Sequence, residues 1–208
     1  QTNALKEIIQ SFKNQNVTLF HGVTSSGKTE IYVKLIVDVL AQGKQVLYLL
    51  PEFALTTQLV VRLQNYFGEQ VSVFHSKFSI HERVEVYHNL QTNSTKAQII
   101  LGARSSIFLP FSNLGLIIVD EEHEQSYKQF DPAPRYHARD TAILLAQYFK
   151  ANVLLGSATP SIESYFNAQN GKYKLAEIHK RFNNVLLPEI ELIDIKKKHK
   201  KKQMKGHF

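Results

Sequence analysis

The sequence predicts an α/β fold with a mostly parallel central sheet and helices on both faces, and three observations carry that prediction. Short apolar runs recur along the chain with helix-length segments between them. These runs are too continuously apolar to leave one face wet, which is how doubly covered parallel strands read. The first run passes through a glycine-rich turn, GVTSSGKT at 22–29, straight into a helical pattern.

Taken in order, residues 4–14 predict a helix with Leu5, Ile8, Ile9 and Phe12 on one face. VTLF (17–20) is the first strand, and a helix begins near Lys28, lined by Leu35, Ile36, Val39 and Leu40 and ended by Gly43. QVLYLL (45–50), VSVF (71–74), QIIL (98–101), LGLIIVD (114–120) and NVLLG (152–156) are further strands. Residues 56–67 and 80–91 read as crossover helices, as does 137–150, with Ala142, Leu144, Leu145 and Tyr148 as its apolar surface. Beyond 156, TPSIESYFNAQNG predicts a helix ended by Gly171. Ser161 followed by Ser164 is a partial capping signature, so that start rests more on Thr159 and Pro160. YKLAEI and IELIDI are strand-like, and no internal repeat is visible.

Composition bounds the rest. A chain of 208 residues with 43% hydrophobic content supports one well-cored domain and excludes a disordered or collagen-like protein. With no cysteine there is no disulfide framework and no thiolate metal site. The histidines, His75, His81 and His88 among them, show neither metal-ligand spacing nor a partner nucleophile. No apolar run reaches the roughly 18 residues of a membrane span. The polar start QTNALKEIIQ is not a secretory signal, so a soluble intracellular protein is expected. A start at Gln1 without methionine suggests a piece of something longer.

The formal charge of +7 sits at one end. Residues 196–208 hold seven lysines and no acid, and the other 18 basic residues are matched by 18 acidic ones. The body is neutral. The basic terminus fits a solvated linker, and it also fits attraction to phosphates.

Gly22, four residues, then Gly27, Lys28 and Thr29 is a specific phosphate-binding pattern when it joins a strand to a helix. The loop gathers backbone N–H groups around phosphate oxygens, and the helix adds its positive end. Lys28 is expected at the beta and gamma phosphates and Thr29 at magnesium, with Ser25 and Ser26 as supporting loop residues. After the strand at 114–120 come Asp120, Glu121, Glu122 and His123. Adjacent acids at one strand end become tolerable when a divalent cation and its phosphates compensate them. Asp120 is the candidate for a direct or water-mediated magnesium contact, and Glu121 for positioning the attacking water. Glu122 and His123 are candidates for coupling this site to neighbouring loops.

GSATPSIES places Ser157 and Thr159 at another strand end, as a helix cap or as a sensor of the nucleotide site. LPEFALTTQ (50–58) and LGARSSIFLPF (101–111) also follow strands, which sets Thr56, Thr57, Gln58, Arg104, Ser105 and Ser106 on one loop edge. That edge suits a phosphate backbone, with Arg104 as the best charged contact. In SYKQFDPAPRYHARD, Tyr127, Phe130 and Tyr136 interleave with Lys128, Arg135 and Arg139. The mixture suits base stacking with phosphate attraction, or a packed regulatory loop.

With these motifs in this order, the sequence resembles the PriA family of bacterial primosomal replication-restart DNA helicases, within helicase superfamily 2. The resemblance covers nearly the whole chain. It implies a RecA-like P-loop NTPase lobe over 1–195, a helicase ATP-binding domain, with 196–208 as a basic interlobe linker and the second lobe absent. It implies ATP and Mg2+ as cofactors and Lys28, Asp120 and Glu121 as catalytic residues. Gly22, Ser25, Ser26, Gly27, Lys28 and Thr29 would surround the phosphates, Thr29 and Asp120 the metal, and Gln1 the adenine.

The resemblance further implies that segment 127–139 couples single-stranded DNA to hydrolysis. It implies 3′ to 5′ movement on single-stranded or forked DNA, with the primosome and single-stranded-DNA-binding proteins as partners, in the bacterial cytoplasm at the nucleoid. Family enzymes also carry a second lobe that supplies arginines to ATP, a cysteine-rich zinc-binding insertion and an N-terminal DNA-binding region. None of the three is present, so zinc is expected in the parent only. The chain is expected to be monomeric and weakly active or inactive by itself.

Another class also fits the residues: a nucleotide-dependent nucleic-acid-binding or regulatory module that never unwinds. A nuclease or metabolite kinase fits less well, since no further metal-carboxylate cluster accompanies the phosphate loop. Residue chemistry does not distinguish RNA from DNA; the choice of DNA rests on the resemblance.

Overall fold

The computed structural model describes residues 1–76 and 78–181. Within these residues seven strands, β1 (Val17–Gly22), β2 (Gln45–Leu49), β3 (Val71–Phe74), β4 (Ile99–Gly102), β5 (Leu114–Asp120), β6 (Asn152–Ser157) and β7 (Lys174–Ile178), form one sheet. Its order is β3-β4-β2-β5-β6-β1-β7. Every pair in it is parallel, so the sheet is more uniform than the mostly parallel one expected. The strand-like segment IELIDI and the linker 196–208 lie outside the described residues.

Among the described residues six helices, α1 (Thr2–Asn14), α2 (Lys28–Leu40), α3 (Thr57–Phe67), α4 (Ile80–Gln91), α5 (Ala138–Phe149) and α6 (Ile162–Gln169), cover the two faces. Side chains alternate across a strand, and this splits the core in two. Phe20, Tyr48, Leu116, Ile118 and Leu154 pack under α1, α2 and α3. Leu19, Leu47, Ile117, Val119 and Leu155 pack under α4, α5 and α6. Strands buried on both sides cannot afford polar alternation, which is why the runs read as continuously apolar.

The helices begin and end for local reasons. Ser79 and Glu82 form a reciprocal capping box at the start of α4. Thr56 caps α3 by accepting the Leu59 N–H at 3.3 Å. Ser161, not Thr159 or Pro160, caps α6, accepting the Ser164 N–H at 3.2 Å. The third-residue partner supplies that cap through its backbone, so a full capping-box signature was unnecessary.

Three expected inward residues face out. Ile9 of α1, and Leu144 and Tyr148 of α5, are exposed. The buried stripe of α5 is Ala138, Ala142 and Ala146 instead, because small residues let that helix lie close on the sheet, against β5 and β6.

Parallel strands send all their carboxyl ends to one edge, so the loops after β1, β2, β4, β5 and β6 emerge together. This is the crevice edge where open α/β sheets bind ligands.

Leu154→Ala removes a fully buried side chain and is expected to cost about 2–5 kcal/mol in urea unfolding. Leu144→Ala, on the outward face, is expected to stay within about 0.5 kcal/mol of the parent.

Candidate functional site

The loop between β1 and α2 is built for close approach. Gly27 sits in the left-handed region (φ 85°) as N-cap of α2, and Ser25 is also left-handed (φ 61°). A side chain on Gly27 would collide with Gln1, whose Nε2 donates to the Ser26 carbonyl at 3.0 Å. Gly22 has Ser26 Oγ and the Lys28 stem packed where a Cβ would stand. Because α2 starts at Lys28, the first N–H groups of the helix have no earlier helical carbonyl to bond. They face a cleft of about 600 Å³ lined by the loop, Gln1, Asp120 and Glu121.

Lys28 Nζ donates to the Gly22 carbonyl at 2.9 Å and lies 3.8 Å from Glu121 Oε1. The predicted phosphate residues and the acidic strand end therefore meet in one cleft. Ser26 Oγ is buried without a hydrogen-bond partner, a polar atom that a ligand in the loop would satisfy. Thr29, Lys28, Asp120 and Glu121 share this lining. Among the described residues no three histidine, aspartate or glutamate side chains converge as a metal cage. A magnesium ion fits this donor set in the way it commonly binds, through few protein oxygens and the phosphates of its partner.

Asp120 ends β5 in a nest of phenols. Tyr32 donates to its Oδ1 at 2.9 Å, Tyr48 to its Oδ2 at 3.1 Å, and Tyr127 to its main-chain carbonyl at 2.7 Å. Burial, with the Glu121 charge second, pushes the Asp120 carboxyl up from its usual range, opposed by Tyr32, Lys28 and Tyr48. Burial, and then Asp120, hold the Tyr32 and Tyr48 phenols well above their usual value, so both remain donors.

The next residue changes direction. Glu121 has φ 48°, and the Glu122 N–H reaches across to the Gly156 carbonyl at 3.0 Å. That turn sends adjacent acids to opposite sides. Glu121 faces Lys28 and the cleft, while Glu122 is fully buried beneath α5 and α6. There it accepts from Arg139 at 3.1 Å, from the Ser161 N–H at 2.7 Å and from Ser164 Oγ at 2.7 Å. His123 turns again, pairing its Nδ1 with Ser157 Oγ at 2.8 Å and its Nε2 with Thr159 Oγ1 at 3.4 Å. The acidic motif and the third motif are thus joined directly.

The residues expected at a nucleic-acid surface divide in two. Thr56, Gln58, Ser105, Lys128, Phe130 and Arg135 lie on the crevice edge, all exposed, with Lys128 Nζ 4.8 Å above the Phe130 ring. Tyr127 is 1% exposed and Arg139 9%. Their polar ends are used inside the protein, so neither offers a surface to a base or a phosphate. Ser157 and Ser106 are fully buried as well, Ser106 fitting where Gly102 has no side chain. Arg104 bonds the carbonyls of Lys128 at 2.9 Å and Ser126 at 3.4 Å, holding the next loop. Tyr136 is partly buried, edge-on to Phe108 at 4.8 Å.

Several contributors were not legible in the sequence. No motif in the sequence marks Tyr32, Tyr48, Lys34 or Arg62; the latter two line the cleft, where Arg62 pairs with Glu30. A tyrosine inside the otherwise aliphatic run QVLYLL was the one available signal, because a buried phenol needs a partner.

Comparison with known proteins agrees with this geometry. The DEAD/DEAH box helicase family model matches residues 1–167. The chain is 46% identical over 192 residues to the replication restart protein PriA of Bacillus subtilis, covering 92% of this chain and 23% of that protein. It is 44% identical to the PriA of Chlamydia muridarum, over 100% of this chain and 28% of that one. The chain thus spans about a quarter of the length of these relatives. Among solved structures, RecG bound to a three-way DNA junction superposes with a TM-score of 0.58 at 23% identity, covering 83% of this chain and 23% of that one. The helicase MrfA bound to DNA and AMPPNP gives 0.62 at 17% identity, covering 86% and 27%. At these identities the two structures establish the shared RecA-like fold.

Glu122→Ala takes the buried carboxylate from Arg139, which keeps Asp140 and Ser161, and leaves the Ser161 N–H and Ser164 hydroxyl without their acceptor; it is expected to lower the unfolding free energy by about 3–5 kcal/mol. Glu121→Ala, one residue away but facing the cleft, is expected to change it by less than about 1 kcal/mol. Paired urea titrations of the two variants check this.

Proposed function

The chain belongs to the DEAD/DEAH box helicase family, and from that premise we propose that it is the nucleotide-binding lobe of an ATP-driven, 3′ to 5′ DNA translocase of replication restart. The observation that carries this reading is the meeting of the phosphate loop and the acidic strand end in one cleft, with Lys28 3.8 Å from Glu121. The PriA identity of the relatives and the exposed crevice edge support DNA as the track.

In this reading the helix N-terminus and loop N–H groups hold the beta and gamma phosphates, and Lys28 leaves the Gly22 carbonyl for a phosphate oxygen. Bound magnesium would neutralise phosphate charge, held by Thr29 and by Asp120. Glu121 orients the attacking water and takes its proton. Gln1, already beside the loop, borders the adenine. His123, Ser157 and Thr159 link the acidic turn to the end of β6, so a shift at the phosphates is felt there.

Tyr127 and the exposed Lys128, Phe130 and Arg135 lie on the segment through which a bound strand would act, Tyr127 reaching the Asp120 carbonyl and Arg104 holding the segment from the turn after β4. Thr56, Gln58 and Ser105 would contact the backbone of the strand. Residues 1–195 form the lobe and 196–208 the connection to a second one. Zinc belongs outside these residues, which contain no cysteine. The protein works in the bacterial cytoplasm at the nucleoid, with the primosome and single-stranded-DNA-binding proteins, and this lobe alone is monomeric.

The lobe alone turns over slowly. Among the described residues one guanidinium, that of Arg62, lines the cleft, and it is bound to Glu30. Beside the ammonium groups of Lys28 and Lys34, no unpaired guanidinium among the described residues is therefore left in the cleft to compensate a transferring phosphoryl group.

Calorimetric titration with ATP and magnesium, with and without single-stranded DNA, tests the reading. Binding is expected in the parent and lost by at least about tenfold in Lys28→Ala, with hydrolysis far below that of a two-lobe relative. Equal binding by both proteins would overturn the nucleotide assignment, and DNA-stimulated turnover matching a full-length relative would overturn the half-site assignment.

A further inference from the structure

Asp120 is not simply an acid at a strand end. Its Oδ1 accepts from Tyr32 and, at 3.1 Å, from the Glu121 N–H; its Oδ2 accepts from Tyr48. A carboxylate offers about four acceptor positions, so the three bonds leave one, on Oδ2. Both donors are fully buried, and their rings meet edge to face at 5.6 Å and 84°. Neither hydroxyl has freedom to swing away.

Two further features favour this arrangement. Tyr32 lies one helical turn beyond Lys28 on α2, so the helix that ends in the phosphate loop also grips the acidic strand. Gly156 of β6 stands beside Asp120 in the sheet, and any side chain there would collide with the Tyr32 hydroxyl. The bare backbone at that point is what admits the bond.

We propose that Tyr32 and Tyr48 are positioning residues for magnesium-linked nucleotide binding: their hydroxyls lock the Asp120 carboxylate so that one acceptor position faces the cleft. The proposal rests on the nucleotide assignment made above and adds to it the two groups that orient the acid. Without the phenols the carboxylate is free to rotate, and the cation loses a fixed partner. Phosphate contacts to the loop and Lys28 are untouched, so the effect belongs to the magnesium-dependent part of binding.

The test is calorimetric titration of AMPPNP, once with magnesium and once with excess EDTA, on the parent, Tyr32→Phe, Tyr48→Phe and Gly156→Ala, with thermal melts alongside. Each phenylalanine variant is expected to keep the EDTA affinity within about twofold while losing about tenfold of the gain that magnesium confers. Gly156→Ala, which crowds the hydroxyl without deleting it, is expected to reproduce the Tyr32→Phe loss. Tyr32 and Tyr48 come from different elements, so a variant that fails to fold leaves the other to decide. Full magnesium gain in a folded phenylalanine variant would overturn the proposal while leaving the nucleotide assignment standing. A parent that binds AMPPNP equally with and without magnesium would also overturn the proposal alone, and a parent that binds no AMPPNP in either condition would overturn both.

Discussion

The central strand β5 is the constraint on which the rest depends. It has three strands on either side in the sheet, and six of its seven residues are buried. Its end must therefore place a carboxylate at the rim of the core, where an acid is tolerated only if something donates to it. Tyr32 of α2 and Tyr48 of β2 are that something, while Tyr127, in the turn after β5, donates to the main-chain carbonyl of the same residue. Satisfying this one residue, carboxylate and carbonyl together, ties the phosphate-loop helix, the neighbouring strand and the following loop to the strand end.

The same logic governs the residues after Asp120. Three consecutive acids repel one another, and the left-handed turn at Glu121 separates them onto different sides of the sheet. Glu121 is left to the cleft and its lysine. Glu122 is taken into the interior, where Arg139, Ser161 and Ser164 occupy its oxygens. A buried pair of this kind adds little net stability but fixes which elements must sit together. Here it fastens α5 and α6 beneath the acidic turn, and His123 fastens the end of β6.

Residues 1–195 are formally neutral, and part of their positive charge is also used internally. Arg139 and Arg104 have the composition of a nucleic-acid contact, yet the first is spent on Glu122 and Asp140 and the second on two carbonyls. What they do is hold the 125–137 segment and α5 against the acidic turn. Of the cationic and aromatic groups on that segment, Lys128, Phe130 and Arg135 are the ones left to solvent, with Asp131 exposed beside them. Contact with a strand and communication with the cleft are thus divided between neighbouring residues of one loop.

By itself the sequence determined the fold class, the strands, the phosphate loop and the acidic turn, because each is a local matter: burial on both faces demands aliphatic runs, and phosphate approach demands glycine at set positions. The spacing of GVTSSGKT and DEEH also placed both on one sheet edge, since parallel strands allow no other outcome. Tertiary structure alone decided the orientation of side chains whose chemistry suits two environments. A tyrosine on an apolar helix face, an arginine in a basic stretch or a leucine on a helix reads the same whether it faces core, cleft or water. Only the packing of α5 through its alanines, with Leu144 and Tyr148 outward, and the bare backbone of Gly156, with Tyr32 brought to Asp120, set those directions.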